Sequence, residues 1–179
     1  MSRYGKNLAM IIRPENPKEF EELYQLIETA FKTAEVASGT EQEFADRLRA
    51  GENYIPDLAL VAEADGKIIG HVMFTKLRIT GGTREHTVLI LAPIAVVKEF
   101  RGQGVGSTLI REGFVRAKAL GYDAVILVGS PLYYGRFGFT ELAGFGIRHS
   151  EDFPSMYVLG VELRPGALAG INGYVEFPT

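Results

Sequence analysis

The chain has 179 residues, enough for one domain that buries roughly 70% of the surface its unfolded form exposes. A net charge of −3 argues against a nucleic-acid partner, and the lack of cysteine rules out disulfides, thiolate metal sites and a cysteine nucleophile. The opening stretch MSRYGKNLAMIIRPEN has no long apolar core of a secretory leader, and no apolar run reaches the ~20 residues of a membrane helix, so no membrane partner and a cytoplasmic location are expected.

In chain order, Leu8 to Arg13 reads as a short strand. Asn16, Pro17 and Glu19 then start a helix, with Asn as N-cap, Pro in the first turn and Glu closing a capping box. Its buried stripe is Phe20, Leu23, Tyr24, Ile27, Ala30 and Phe31. Thr40 with Glu43 reads as a second capping box, opening a helix through Phe44 and Leu48 that stops at Gly51. Leu58 to Ala64 and Lys67 to Ile79 are strands joined by the two-residue turn Asp65-Gly66.

From His86 to Val97 the residues are apolar or β-branched almost without break, the pattern of a strand buried on both faces. Pro93 interrupts it. A proline cannot donate to a sheet ladder, so one edge of this strand is expected to lose its neighbour through a bulge or a splay, which opens room for a ligand. The glycine-rich turn Arg101, Gly102, Gln103, Gly104, Val105, Gly106 follows, with Ser107 next. An amphipathic helix continues through Leu109, Ile110, Gly113, Phe114 and Ala117 to Gly121. Glycines here let backbone N–H groups converge on one anion at a helix N-terminus, and Arg101 adds a forked cation suited to phosphate; the plainer alternative is a tight connection. A P-loop is excluded because Ser107 and Thr108 follow Gly106 with no lysine, and GxGxG is not the GxGxxG dinucleotide spacing.

Beyond that helix, Ala124 to Val128 is a short buried strand broken by Gly129, Ser130 and Pro131, and a short helix carries Tyr133 and Tyr134. Residues 143 to 155 read as a loop, Met156 to Leu163 as a late strand, 164 to 173 as irregular, and Tyr174 to Phe177 as an edge strand.

Two of these stretches carry a resemblance. Arg101-x-x-Gly104-x-Gly106, after the strand segment Ile94, Ala95, Val96 and before an amphipathic helix, resembles the acetyl-CoA motif of the Gcn5-related N-acetyltransferases (GNAT). The segment PLYYGRFGF at 131 to 139 resembles the late segment of the same family, in which a Tyr stands four residues before the Gly of a Gly-Phe pair: Tyr134, Gly138, Phe139. The composite is similar to one bacterial subgroup of N-acetyltransferases. The likeness is strongest over about residues 55 to 142.

The resemblance implies an α/β (α+β) single domain over residues 1 to 179: a mixed, mostly antiparallel sheet, splayed at the central strand and flanked by helices. It implies acetyl-CoA as cosubstrate, no metal, a small-molecule amine acceptor, and Tyr134 as the acid that protonates the thiolate. The backbone of Ile94, Ala95 and Val96 would meet the thioester and pantetheine. The turn Arg101, Gly102, Gln103, Gly104, Val105, Gly106 and Ser107 would hold the pyrophosphate, with Ser130 and Tyr133 beside the cofactor. Tyr134 could equally be a core tyrosine bonded to backbone. A protein lysine or N-terminus as acceptor, or a non-catalytic acyl-CoA sensor, are the alternative functions, and a homodimer is the assembly kept in view.

Many relatives place a glutamate on the central strand as base, but His86 to Val97 holds no carboxylate. His86, His71, water or no base at all stay open. His149 in the late loop, and Glu35, Glu41, Glu43, Asp46 and Arg47 around the helical pair, are substrate-contact candidates whose simpler role is a solvated surface.

Overall fold

The computed structural model describes residues 8–35, 37–150 and 152–179. The leader reading therefore falls partly on residues 1–7, outside the described residues. Among the described residues no helix is long and apolar enough to cross a membrane.

Among the described residues nine strands form one sheet, seven of them in the order β1 (Ile11–Pro14), β2 (Ala59–Ala64), β3 (Lys67–Thr80), β4 (His86–Val96), β5 (Ala124–Val128), β8 (Val158–Glu162), β6 (Thr140–Glu141). The other two of the nine, the short strands β7 (Arg148–His149) and β9 (Tyr174–Val175), pair with each other, and β9 also pairs with β3. Every pairing is antiparallel except β4–β5 and β7–β9. The mixed, mostly antiparallel sheet flanked by helices is the architecture that the sequence led us to expect. Helix α3 (Val105–Ala119) covers one face, over a core that includes Leu60, Val72, Leu89, Val125, Leu109 and Ile110. Helices α1 (Phe20–Phe31) and α2 (Glu41–Ala50) lie on the other, packing Ile27, Ala30 and Ala45 against Ala95. The tyrosines occupy the four-residue α4 (Pro131–Tyr134).

Local chemistry explains most boundaries. Asn16 accepts from Lys18 N–H while Glu19 takes the Asn16 N–H, so the first capping box is present, although a 3-10 turn (Pro17–Glu19) precedes α1. Asp65 and Gly66 both adopt positive φ, as a two-residue hairpin turn of the mirror-image kind requires.

The second capping box is not there. Thr40 makes no side-chain cap bond; the neighbouring Glu41 carboxylate takes the N–H groups of Ser38 and Gly39, and Glu43 is drawn to the Tyr24 hydroxyl at 3.2 Å. Two further differences lie in the late segment. β6 and β7 fall in stretches too short to show alternation, and β9 pairs on both sides instead of forming a free edge.

Helix α3 approaches β3 closely at Gly113. A Cβ there would lie 2.3 Å from the Phe74 ring. Gly113→Leu is expected to overpack this contact and cost roughly 3 kcal/mol or more. Thermal unfolding reads it, and an unchanged midpoint would mean that Phe74 swings clear.

Candidate active site

The splay anticipated at Pro93 is visible in the register. β4 pairs with β5 only at Leu89↔Val125 and Ile90↔Ile126, yet β4 runs on to Val96. On its other side β4 stays paired to β3 through Val72↔Ile94, His71↔Ala95 and Gly70↔Val96, with a register shift opposite Ala92 and Pro93. The upper half of β4 therefore presents one backbone edge with no strand beside it.

That edge opens into a cavity of about 630 Å³. Ile94, Ala95 and Val96 form one wall, and the C-terminal end of α1 with Thr33, Ala34 and Glu35 forms a second. Gly102, Gly104, Val105, Gly106 and Ser107 form the floor, and Tyr133 with Arg136 closes the side. Gly102 and Gly104 have φ of +72° and +85°, a conformation that residues with a Cβ adopt at a cost. Gly104 is the N-cap of α3, and no side chain caps this helix. Its first N–H groups thus lie at the cavity floor, the arrangement that binds anions.

Sequence reasoning and structure differ over Arg101. It borders the cavity, but its Nε donates to the Val96 carbonyl at 3.1 Å, and Nη2 and Nη1 donate to the Ala30 and Thr33 carbonyls at 2.7 and 3.5 Å. The Ala30 and Thr33 carbonyls lie at the C-terminal end of α1, where the helix dipole is negative and orphan acceptors need donors. Gln103 turns its side chain to the Glu99 carbonyl at 3.0 Å, away from the cavity. Ser130 is exposed and does not line the cavity; its carbonyl accepts the N–H groups of Tyr133 and Tyr134 at 3.2 and 3.0 Å, which holds the tyrosine turn.

The two tyrosines have different surroundings. Tyr133 faces the cavity, with its hydroxyl beside the first turn of α3: a Cβ added to Gly106 would lie 2.8 Å from it. Tyr134 stands behind, edge-on to Tyr133 at 4.8 Å between centroids and to Phe139 at 5.9 Å. Its ring also closes on Gly129, at the end of β5. Burial, with a smaller contribution from Tyr133, pushes the Tyr134 phenol up to about 12. Tyr134 itself is not among the residues that line the cavity.

No histidine reaches the cavity lining among the described residues. His86 opens β4 at the end remote from Val96 and bonds Asp123 at 3.0 Å. His149 bonds the Ser150 carbonyl and the Ser155 hydroxyl. His71 is fully buried, with Nε2 2.8 Å from Glu15. Around Glu15 lies a network that sequence reasoning missed: the carboxylate also accepts Arg49 Nε and Nη2 at 2.7 and 3.0 Å and the Tyr54 hydroxyl at 2.8 Å. Charged residues at 15 and 49 gave no hint of burial because neither belongs to an apolar stripe. Of the acidic candidates near the helical pair, only Glu35 lines the cavity.

The profile of the acetyltransferase (GNAT) domain family matches residues 11–142. The chain belongs to the GNAT family of acetyltransferases. The uncharacterized N-acetyltransferase YhbS of Escherichia coli is 32% identical over 169 residues, 94% of this chain and 96% of YhbS. The uncharacterized N-acetyltransferase YjhQ of the same organism is 34% identical over 122 residues, 68% of this chain but 65% of YjhQ, just under two thirds of its length. In three dimensions the crystal structure of E. coli YhbS in complex with CoA superposes with a TM-score of 0.85 at 29% identity, over 99% of this chain and 94% of that one. A GNAT acetyltransferase from Brucella melitensis in complex with acetyl-CoA gives 0.77 at 30% identity, over 96% and 97%. As a GNAT protein the chain is an acyltransferase by family; the Arg101–Gly106 motif lines the cavity, and of the late segment Tyr133 and Arg136 do, whereas Tyr134, Gly138 and Phe139 do not.

Proposed function

We propose that this GNAT protein transfers the acetyl group of acetyl-CoA to the primary amine of a small molecule by direct attack. The observation that carries the reading is one cavity that joins the unpaired upper edge of β4 to the uncapped N-terminus of α3. That combination suits a ligand with an amide-bearing arm and an anionic end. The YhbS and Brucella structures, which contain CoA and acetyl-CoA, support it.

Acetyl-CoA supplies an activated thioester. The protein's part is then positional and electrostatic. Backbone groups of Ile94, Ala95 and Val96 align the arm along β4. N–H groups of the turn from Gly102 to Ser107 hold the diphosphate oxygens. Glu35, the one carboxylate that lines the cavity among the described residues, attracts a cationic amine toward the thioester. The amine gives one proton to water before it attacks; as its neutral nitrogen bonds the acetyl carbon and the carbon–sulfur bond breaks, Tyr134 donates its phenolic hydrogen to the departing sulfur, the second amine proton leaves to water, and water returns a proton to the Tyr134 phenolate. With its phenol pushed up to about 12, Tyr134 stays protonated across the neutral range.

Tyr134→Phe is accordingly expected to lower kcat by roughly 10- to 100-fold while acetyl-CoA affinity stays within about twofold. Release of free thiol over a panel of small amines reads the first, and calorimetry the second. Because the folded-state phenol titrates so high, wild-type kcat should show no descending limb from Tyr134 below about pH 11. An unaffected kcat would remove Tyr134 from the chemistry. Acetyl-CoA binding without transfer to any amine would point to an acyl-CoA sensor.

A further inference from the structure

The cavity has two cationic side chains in its lining, Arg101 and Arg136, and their guanidinium groups are in opposite conditions. Arg101 is consumed by three backbone carbonyls, two of them at the end of α1. A phosphate drawing on it would have to break that cap. Arg136 commits only Nε, to the Tyr133 carbonyl at 3.0 Å, and its terminal nitrogens have no protein partner among the described residues. Its guanidinium carbon lies 4.7 Å from the centroid of the Tyr133 ring. That ring reaches from Arg136 to the first turn of α3, where its hydroxyl meets Gly106. Arg136 is thus held over a ring whose hydroxyl end reaches the first turn of the helix.

We propose that Arg136, and not the motif residue Arg101, supplies the cationic side chain for the acetyl-CoA diphosphate, closing an anion site whose other wall is the N-terminus of α3. The proposal rests on the acetyl-CoA reading above. The two free amino groups of Arg136 form a fork suited to two phosphate oxygens, and stacking on Tyr133 orders that fork before the ligand arrives. Arg101 belongs to the scaffold: it fastens the end of α1 to the turn and so shapes the cavity wall.

The test is calorimetry with acetyl-CoA, 3′-dephospho-acetyl-CoA and S-acetylpantetheine, at low and high salt. Arg136→Ala should weaken acetyl-CoA about tenfold and flatten its salt dependence. Arg136→Lys should recover only part of this, since an ammonium neither stacks nor forks. The dephospho compound should show the same loss, and S-acetylpantetheine, which lacks the diphosphate, none. Arg101→Ala should lower the unfolding temperature but keep the salt dependence of the wild type. The proposal is overturned if Arg136→Ala binds like the wild type, if its effect disappears with the dephospho compound, or if Arg101→Ala is the variant whose salt dependence flattens. If the wild type binds none of the three, the acetyl-CoA reading itself fails, and the variants are not needed to show it.

Discussion

Glutamate in place of Gly104 is expected to abolish acetyl-CoA binding, by at least a hundredfold in Kd, while the protein still folds. Gly104 sits at φ +85°, and a Cβ there meets nothing within 4 Å. A side chain at this point therefore costs about 1 kcal/mol of backbone strain, which a folded domain tolerates, and extends into open space at the cavity floor. The carboxylate would lie among the first N–H groups of α3, taking the place of the phosphate and repelling it. Gly104→Ala carries the strain without the charge and should lose far less. Calorimetry separates the two. If glutamate and alanine weaken binding equally, strain is the cause and the floor of the cavity does not hold the anion.

The second large effect concerns the buried network. Glu15→Ala is expected to destabilise the fold by roughly 3–5 kcal/mol, because the fully buried His71 loses its carboxylate and the buried Arg49 keeps only the half-exposed Asp46. For a chain of this size that is a fall of about 10 °C in Tm.

The pH dependence has a definite sign. Burial alone would raise the Glu15 carboxyl, but the hydrogen bonds from His71 and Arg49, with their charges, outweigh it and bring it from the ordinary 4.5 to about 2. A depressed folded-state value means that the stabilisation, about 3 kcal/mol, is complete above pH 5 and is lost as pH falls toward 2. The gap in stability between wild type and Glu15→Ala should therefore narrow on acidification. Denaturant unfolding at neutral pH and below pH 4 measures it, and a gap independent of pH would mean that Glu15 is not held as an ion.

The network matters for function through position. Glu15 follows β1, Arg49 ends α2, Tyr54 lies in the segment before β2, and His71 is on β3 beside Ala95 of the cavity wall. Four pieces of chain meet at one carboxylate. The α1–α2 pair, which supplies the wall carrying Glu35, is tied to the sheet there.

Much of this was open to direct reading. The apolar run of β4, the proline inside it, the glycines at 102 and 104 and the apolar repeat of α3 are local signals, because alternation, a missing N–H and positive φ are properties of a few adjacent residues. They placed the splay and the glycine turn that floors the cavity, and the tyrosine pair fell on the short helix assigned to it. What the chain could not announce is which distant groups compete for one side chain. Arg101 read as a phosphate ligand because its sequence neighbours are glycines, yet its partners are the carbonyls of Ala30 and Thr33, brought up by the packing of α1. Arg136 stands in the PLYYGRFGF segment but was assigned no role there, and only the fold set it over Tyr133 beside the helix N-terminus. Glu15, Arg49, Tyr54 and His71 are unremarkable one by one; burial in a medium of low dielectric makes them one unit, and burial is decided by tertiary packing. By itself the sequence determined the strand, the turn, the helix and the chemistry they can offer. Only the tertiary structure decided which charges were free to use it, because pairing depends on distances between segments that the order of residues does not contain.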